Sequence, residues 1–181
     1  MTDIYDIETL KNCFTYTGLN LITRDIKQFV IHKDRDDSSE LIAHLIGNSM
    51  TSYKGLSGMI GYNNLAFDSQ VIQWFIESYH KWIQEAKVGF LHDYDGDQIA
   101  RMIYDYSQKV IERSNKGGWG DYPEWKLTIP QLDLFKIWHF DNKNKMTSLK
   151  WLEFMMDFPS IEEMPIHHST EVTADQIPSI I

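Results

Sequence analysis

The chain has 181 residues, of which 43% are hydrophobic, 24% charged and an unusually high 13% aromatic, with a formal net charge of −9. That length suits one domain, 1–181, with a core large enough to do without staples, and the acidic balance argues against a broad basic face wrapped around nucleic acid. It leaves room for a small acidic cleft, because bound cations reverse the local sign of such a site. No apolar run approaches membrane-spanning length, and acids stand near the start where a secretory signal would be basic, so no membrane partner is expected. The single cysteine, Cys13, excludes an internal disulfide and suits a reducing, cytoplasmic setting.

In chain order, the first ten residues read as a strand, above all Ile4 to Thr9. Cys13 to Thr17 and Leu19 to Thr23 carry strand formers around Gly18, and Lys27 to His32 follows the charged turn Arg24-Asp25. Three strands in series with short connections predict an antiparallel meander. Asp37, with Glu40 three positions on, resembles a capping box, and Leu41, Ile42, Leu45 and Ile46 then recur at helical spacing. Met59-Ile60 between glycines reads as a short buried strand that runs into 63–68. Val71, Ile72, Phe75, Ile76, Tyr79 and Ile83 form one helix face; Ile99, Met102, Ile103, Tyr106 and Val110 form another. Thr128 to Trp138 reads as a strand, and Ser148 starts a helix with Leu149, Leu152 and Met156 inward. The order β-β-β-α-β-α-α-β-α is that of an α/β, RNase H-like fold: a mixed central sheet, flanking helices, and a helix-plus-loop insertion over 81–126.

Ile4-Tyr5-Asp6-Ile7-Glu8-Thr9 is an odd way to write a buried strand. Side chains alternate along a strand, so Asp6 and Glu8 share a face while Tyr5 and Ile7 share the other. Adjacent carboxylates repel unless a cation sits between them, and hard divalent ions take such oxygens. A lone Asp-x-Glu also arises by chance, so the pattern needs a partner. Asp68, at the strand-to-helix corner after Asn63-Asn64-Leu65-Ala66-Phe67, supplies a third carboxylate; as the residue opening a helix it also suits an N-cap. Asp93-x-Asp95-x-Asp97 has its glycine at the wrong place for a calcium loop and Tyr104 where the terminal glutamate would stand, and reads as an acid-rich helix start.

Asp6-Ile7-Glu8-Thr9 followed by Gly61-Tyr62-Asn63-Asn64-Leu65-Ala66-Phe67-Asp68 resembles the first two exonuclease motifs of DEDD-type 3′–5′ exonucleases, above all the proofreading domains of family-B DNA polymerases, phage ones included. Leu132-Asp133-Leu134-Phe135-Lys136 and Ser148-Leu149-Lys150 are similar to later parts of that family. The resemblance implies that Asp6, Glu8 and Asp68 are the catalytic metal ligands, for two Mg²⁺ or Mn²⁺ ions about 3.5–4 Å apart. It further implies that Thr9, Leu10, Asn63 and Phe67 contact the substrate. The expected substrate is the 3′ end of single-stranded DNA, the expected companion a DNA polymerase domain or replication protein, and the expected location the cytoplasm, of the host if the chain is phage-encoded.

The family completes its site with a Tyr or His several residues before a fourth carboxylate, and no such third motif stands here. His167 and His168 precede Asp175 at eight and seven residues, where the His-type spacing is five, and no Tyr precedes Glu171 or Asp175. Residues 174–181 read as a helix beginning, which suggests the N-terminal piece of a longer exonuclease or polymerase. The alternative function is a catalytically incomplete module that binds nucleic-acid ends or a replication partner. Two further features stay open. Trp119, Tyr122 and Trp125 in a glycine-containing loop suit either packing within the domain or stacking of unpaired bases. Lys136, Lys143, Lys145 and Lys150 suit either a phosphate-contact strip or a solvated turn. Asp133, inside an apolar strand, reads as structural.

Overall fold

Alternation along the first strand gives the sheet two chemically different faces. In the computed structural model, which describes residues 2–51, 58–87, 94–138, 148–159 and 165–181, β1 (Thr2–Leu10) pairs antiparallel with β2 (Cys13–Asn20) along its whole length, from Asp3↔Asn20 to Leu10↔Cys13. β2 pairs with β3 (Ile26–His32), which carries the short β4 (Arg35–Asp36). On the other side β1 pairs in parallel with β5 (Gly58–Gly61), and β5 with β6 (Gln131–Asp133). The result is a six-stranded mixed sheet in the order β4-β3-β2-β1-β5-β6. With its flanking helices it is an α/β architecture compatible with the RNase H-like fold.

Tyr5, Ile7, Phe14, Tyr16 and Ile31 face one way and join a single core with α1 (Ser38–Thr51), α2 (Asp68–Lys87) and α3 (Gly96–Asn115). Tyr5 stacks on Tyr16, with ring centroids 5.8 Å apart. α3 packs against β1, β2 and β3 and buries Ile99, Ala100, Ile103, Tyr106 and Val110. The 81–126 segment, read from sequence as an insertion, therefore supplies a main layer of the core. The opposite face carries Ile4, Asp6, Glu8 and Leu10. Its Leu10 end is covered by 165–181, where Val172 and Ile177 form a second core with Leu10, Cys13 and Val30.

Local chemistry explains most of the boundaries. Asp95 caps α3 and accepts the N–H of Gln98 at 2.8 Å, while the Gln98 side chain accepts the N–H of Asp95 in return. Asp97 pairs with Arg101 one turn on. The helix-start reading of these acids holds for Asp95 and Asp97; Asp93 lies outside the described residues.

Four expectations are corrected. The Asp37 carboxylate does not form a capping box; it turns back to accept the N–H of Val30 and Nε of Arg35, while its carbonyl takes the first helical bond from Leu41. Thr128–Trp138 is not one strand: only 131–133 pair with β5, and α4 (Leu134–Trp138) follows at once, because Asp133 accepts the N–H of Phe135 and bends the chain. α5 (Leu149–Met155) does not bury its expected face, since Leu149 and Met156 are exposed. Residues 177–179 form a single 3₁₀ turn. Lys143 and Lys145 lie outside the described residues.

Candidate active site

The lengths of two strand ladders open the site. β1 is paired to β5 only as far as Ile4↔Ile60, but to β2 as far as Leu10. From Asp6 onward the β5-side edge of β1 is therefore faced by the 62–68 turn instead of a strand. Clefts of open α/β sheets form at such places, beyond the carboxyl ends of parallel strands.

That turn is tightly specified. Asn63 takes the left-handed conformation at φ 58°, which asparagine tolerates better than most residues. Its N–H is accepted by Asp133 Oδ1 at 2.9 Å, and the N–H of Leu65 by Asp133 Oδ2 at 3.3 Å. Asp133 is thus the anchor of the turn, in line with its structural reading. Gly61 is required by crowding, since a Cβ there would stand 2.7 Å from Cβ of Asn64. The buried Asn64 Nδ2 donates to Gln131 Oε1 at 2.9 Å and to Tyr5 Oη at 3.3 Å. Tyr5 Oη also donates to Gln131 Oε1 and lies within hydrogen-bonding distance of Ser69 Oγ. This small polar lattice ties β1, the turn, α2 and β6 together directly behind the carboxylates, and Asp68 is the first residue of α2.

The three carboxyls feel one another. Glu8 is pushed up to about 7, first by burial and then by the charge of Asp6. Asp68 is raised well above the usual carboxylate range, by burial first, then by Asp6, with Glu8 and Asp133 adding to it. Asp6 is an exposed residue overall, yet burial of its carboxyl still raises it. Burial, with Asp68 and Asp6 adding, raises the Tyr5 phenol further above its ordinary value. Among the described residues, no lysine or arginine offsets any of these shifts. The donor set is all oxygen, and its carboxyls resist ionising together, which is the strain that a hard divalent cation relieves. Among the described residues, however, no three His, Cys, Asp or Glu side chains are drawn together as a ready-made metal cluster. The residues fit a cation in kind, and their carboxyls still have to close around it.

Comparison of the chain with protein-family models, with curated proteins and with solved structures finds no match. Its site is read from its own residues.

The expected substrate contacts divide. Asn63 is exposed on the turn before Asp68, and Phe67 is half-buried against the main core. Thr9 is largely buried, and Leu10, 1% exposed, is closed into the second core with Val172 and Ile177. Leu10 therefore does not meet a ligand while 165–181 is docked. The His167 and His168 rings lie tilted against each other in an exposed turn, with His167 bonded to Ser169. Glu171, which followed them as a possible fourth carboxylate, is engaged with Lys11 and Arg101. Sequence reasoning undervalued Asn64 and Gln131, which hold the carboxylates' support in place. The signal available for Asn64 was its place beside Gly61 in the turn; for Gln131 there was none.

Proposed function

We propose that this chain is a metal-dependent 3′–5′ exonuclease domain acting on DNA ends. The observation that carries the reading is the gathering of three carboxyls at one sheet edge: Asp6 and Glu8 on one face of β1 and Asp68 at the start of α2, near enough for the charge of Asp6 to push both Glu8 and Asp68 up. Asp6 and Glu8 come from adjacent same-face positions of β1, and Asp68 from the start of α2, held by the Asp133-anchored turn. Together they would hold Mg²⁺ or Mn²⁺. When bound, such ions supply Lewis-acid activation of water and neutralise the charge that develops on phosphodiester cleavage. The protein's own part is to present three carboxylates at a cleft edge, to brace β1 behind them through Tyr5 Oη, and to offer Asn63 and Phe67 beside them for the terminal nucleotide. The −9 net charge does not oppose this, because a strand end engages only a local, cation-loaded site.

The test is digestion of a 5′-labelled single-stranded DNA with Mn²⁺, parent against Asp6→Ala. Stepwise shortening from the 3′ end by the parent and its loss in the variant is the expected result. Equal degradation by both would remove the metal assignment. Binding of DNA ends by the parent without cleavage at millimolar metal would favour the second reading, a nuclease-fold module that binds ends or a replication partner. The absence of a ready-made three-ligand cluster among the described residues is what keeps that reading in view.

A further inference from the structure

The 116–126 loop is pinned along its backbone while its largest side chains stand in water. Gln70 Oε1 accepts the N–H of Tyr122 at 2.9 Å and Gln70 Nε2 donates to the Tyr122 carbonyl at 2.8 Å. Arg113 and Tyr106 both hold Asp121, and Gly118 N–H closes onto the Arg113 carbonyl at 3.0 Å. Gly120 lies so close to Gln70 that a Cβ there would stand 2.3 Å from its side-chain oxygen. On this fixed frame Trp119 is 90% and Trp125 84% exposed. The reading of these indoles as packing within their own domain therefore fails for both. Two indoles held open on a rigid frame have already met the ordering cost of binding a flat partner.

Between them lies a groove of about 540 Å³, walled by Trp119, Tyr122, Pro123 and Trp125. It shares Leu65, Trp119, Gly120 and Lys136 with an adjoining hollow of about 240 Å³ that reaches Asn63 and Ala66, in the turn leading to Asp68. The groove thus runs as far as the turn that leads to Asp68, although neither hollow is lined by Asp6, Glu8 or Asp68 themselves.

Resting on the reading of the carboxylate site given above, we infer that the Trp119–Trp125 groove holds the unpaired bases preceding the terminal nucleotide of a single strand, by stacking on the two indoles. The bordering cations are balanced locally, Arg113 by Asp121 and Lys136 by Glu124. Recognition here runs through base faces, which every base has, and only weakly through phosphate charge. Binding is accordingly tolerant of sequence and shows a shallow salt dependence.

The test is fluorescence anisotropy of a labelled single-stranded oligothymidylate with EDTA present, so that no cleavage intervenes. Trp119→Ala and Trp125→Ala are each expected to weaken binding roughly 5- to 150-fold, the range of one lost base stack, with unchanged circular dichroism because both side chains lie outside the core. Quenching of indole fluorescence on binding is expected in the parent. Parental affinity in both variants would overturn the inference, as would quenching by a proline-rich peptide without any by the oligonucleotide. The two proposals fail separately. A parent that binds through the indoles but never cleaves with Mn²⁺ removes only the exonuclease reading. A parent that cleaves, with tryptophan variants equal to it in binding and cleavage, removes only the groove.

Discussion

Asp133 at the end of β6 accepts the backbone N–H of Asn63 at 2.9 Å, 70 residues away in the chain, and so fixes the turn that delivers Asp68 to β1. The same carboxylate also takes the N–H groups of Leu65 and Phe135. Asp133→Ala strands these donors in a site that is 4% exposed. Each unsatisfied buried donor costs about 1–3 kcal/mol, and partial rescue by water brings the expected loss to about 2–4 kcal/mol. Urea unfolding with an unchanged slope measures it. A loss below about 1 kcal/mol would show that the turn holds itself.

The sheet and its two faces were legible in the sequence because a period of two over Thr2–Leu10 admits only one sorting of Tyr5 and Ile7 against Asp6 and Glu8. The order of elements followed from the apolar spacing of α1 to α3. Long-range hydrogen bonding was not legible. Nothing local tells that Asp37 would turn back to Val30, or that Asp133 would end a strand begun at Gln131 by gathering N–H groups from a turn 70 residues earlier. Likewise, the apolar residues of 149–156 show helical spacing, yet spacing alone does not say whether another layer covers them. Asp6 and Glu8 could be paired from sequence; their support by Asn64, Gln131 and Ser69 required the fold.

Gly61→Ala probes the turn from the other side. The added methyl meets Cβ of Asn64 at 2.7 Å, and Asn64 cannot retreat without giving up Gln131 and Tyr5. Overpacking of this kind costs about 1–3 kcal/mol. Because the strain falls on 61–64, Mn²⁺-dependent cleavage is expected to drop by more than the loss of stability explains. Cleavage at the parental rate at a temperature well below melting would show that the position of Asp68 does not depend on this contact.

Asp68→Asn removes one of three repelling carboxylates while keeping shape. In the absence of metal the variant is expected to melt higher than the parent at neutral pH, by about 2–4 °C for each kcal/mol of repulsion relieved. The parent should gain stability with Mn²⁺ through preferential binding to the folded state, and the variant should gain much less. A metal-induced rise of equal size in both would place the ion elsewhere. The paired measurement separates a metal ligand from a helix-starting residue, since loss of a helix-start interaction would lower the melting temperature in both conditions.

The docking of 165–181 over the Leu10 end of the carboxylate face turns on the backbone N–H and carbonyl of one residue, Val172. Asn12 Oδ1 accepts the N–H of Val172 at 2.7 Å, Asn12 Nδ2 donates to its carbonyl at 3.0 Å, and His32 Nε2 reaches the same carbonyl at 3.0 Å. The Asp34 N–H donates to His32 Nδ1, so the ring proton sits on Nε2 and is given to Val172. Around this clasp Val172 and Ile177 meet Leu10, Cys13 and Val30. Asn12→Ala deletes two of these bonds in a buried place, worth about 2 kcal/mol together. If the segment opens as a local unit, its open population rises about 30-fold. Cleavage after Glu171 by a glutamate-specific protease, limited by that population, should accelerate by a similar factor while the global melting temperature shifts little. Val172→Ala, which keeps the clasp and loses only apolar contact, should accelerate it less. Equal cleavage of parent and Asn12→Ala would mean that the apolar contacts alone hold the segment down, and that Leu10 stays covered whether or not Asn12 is present.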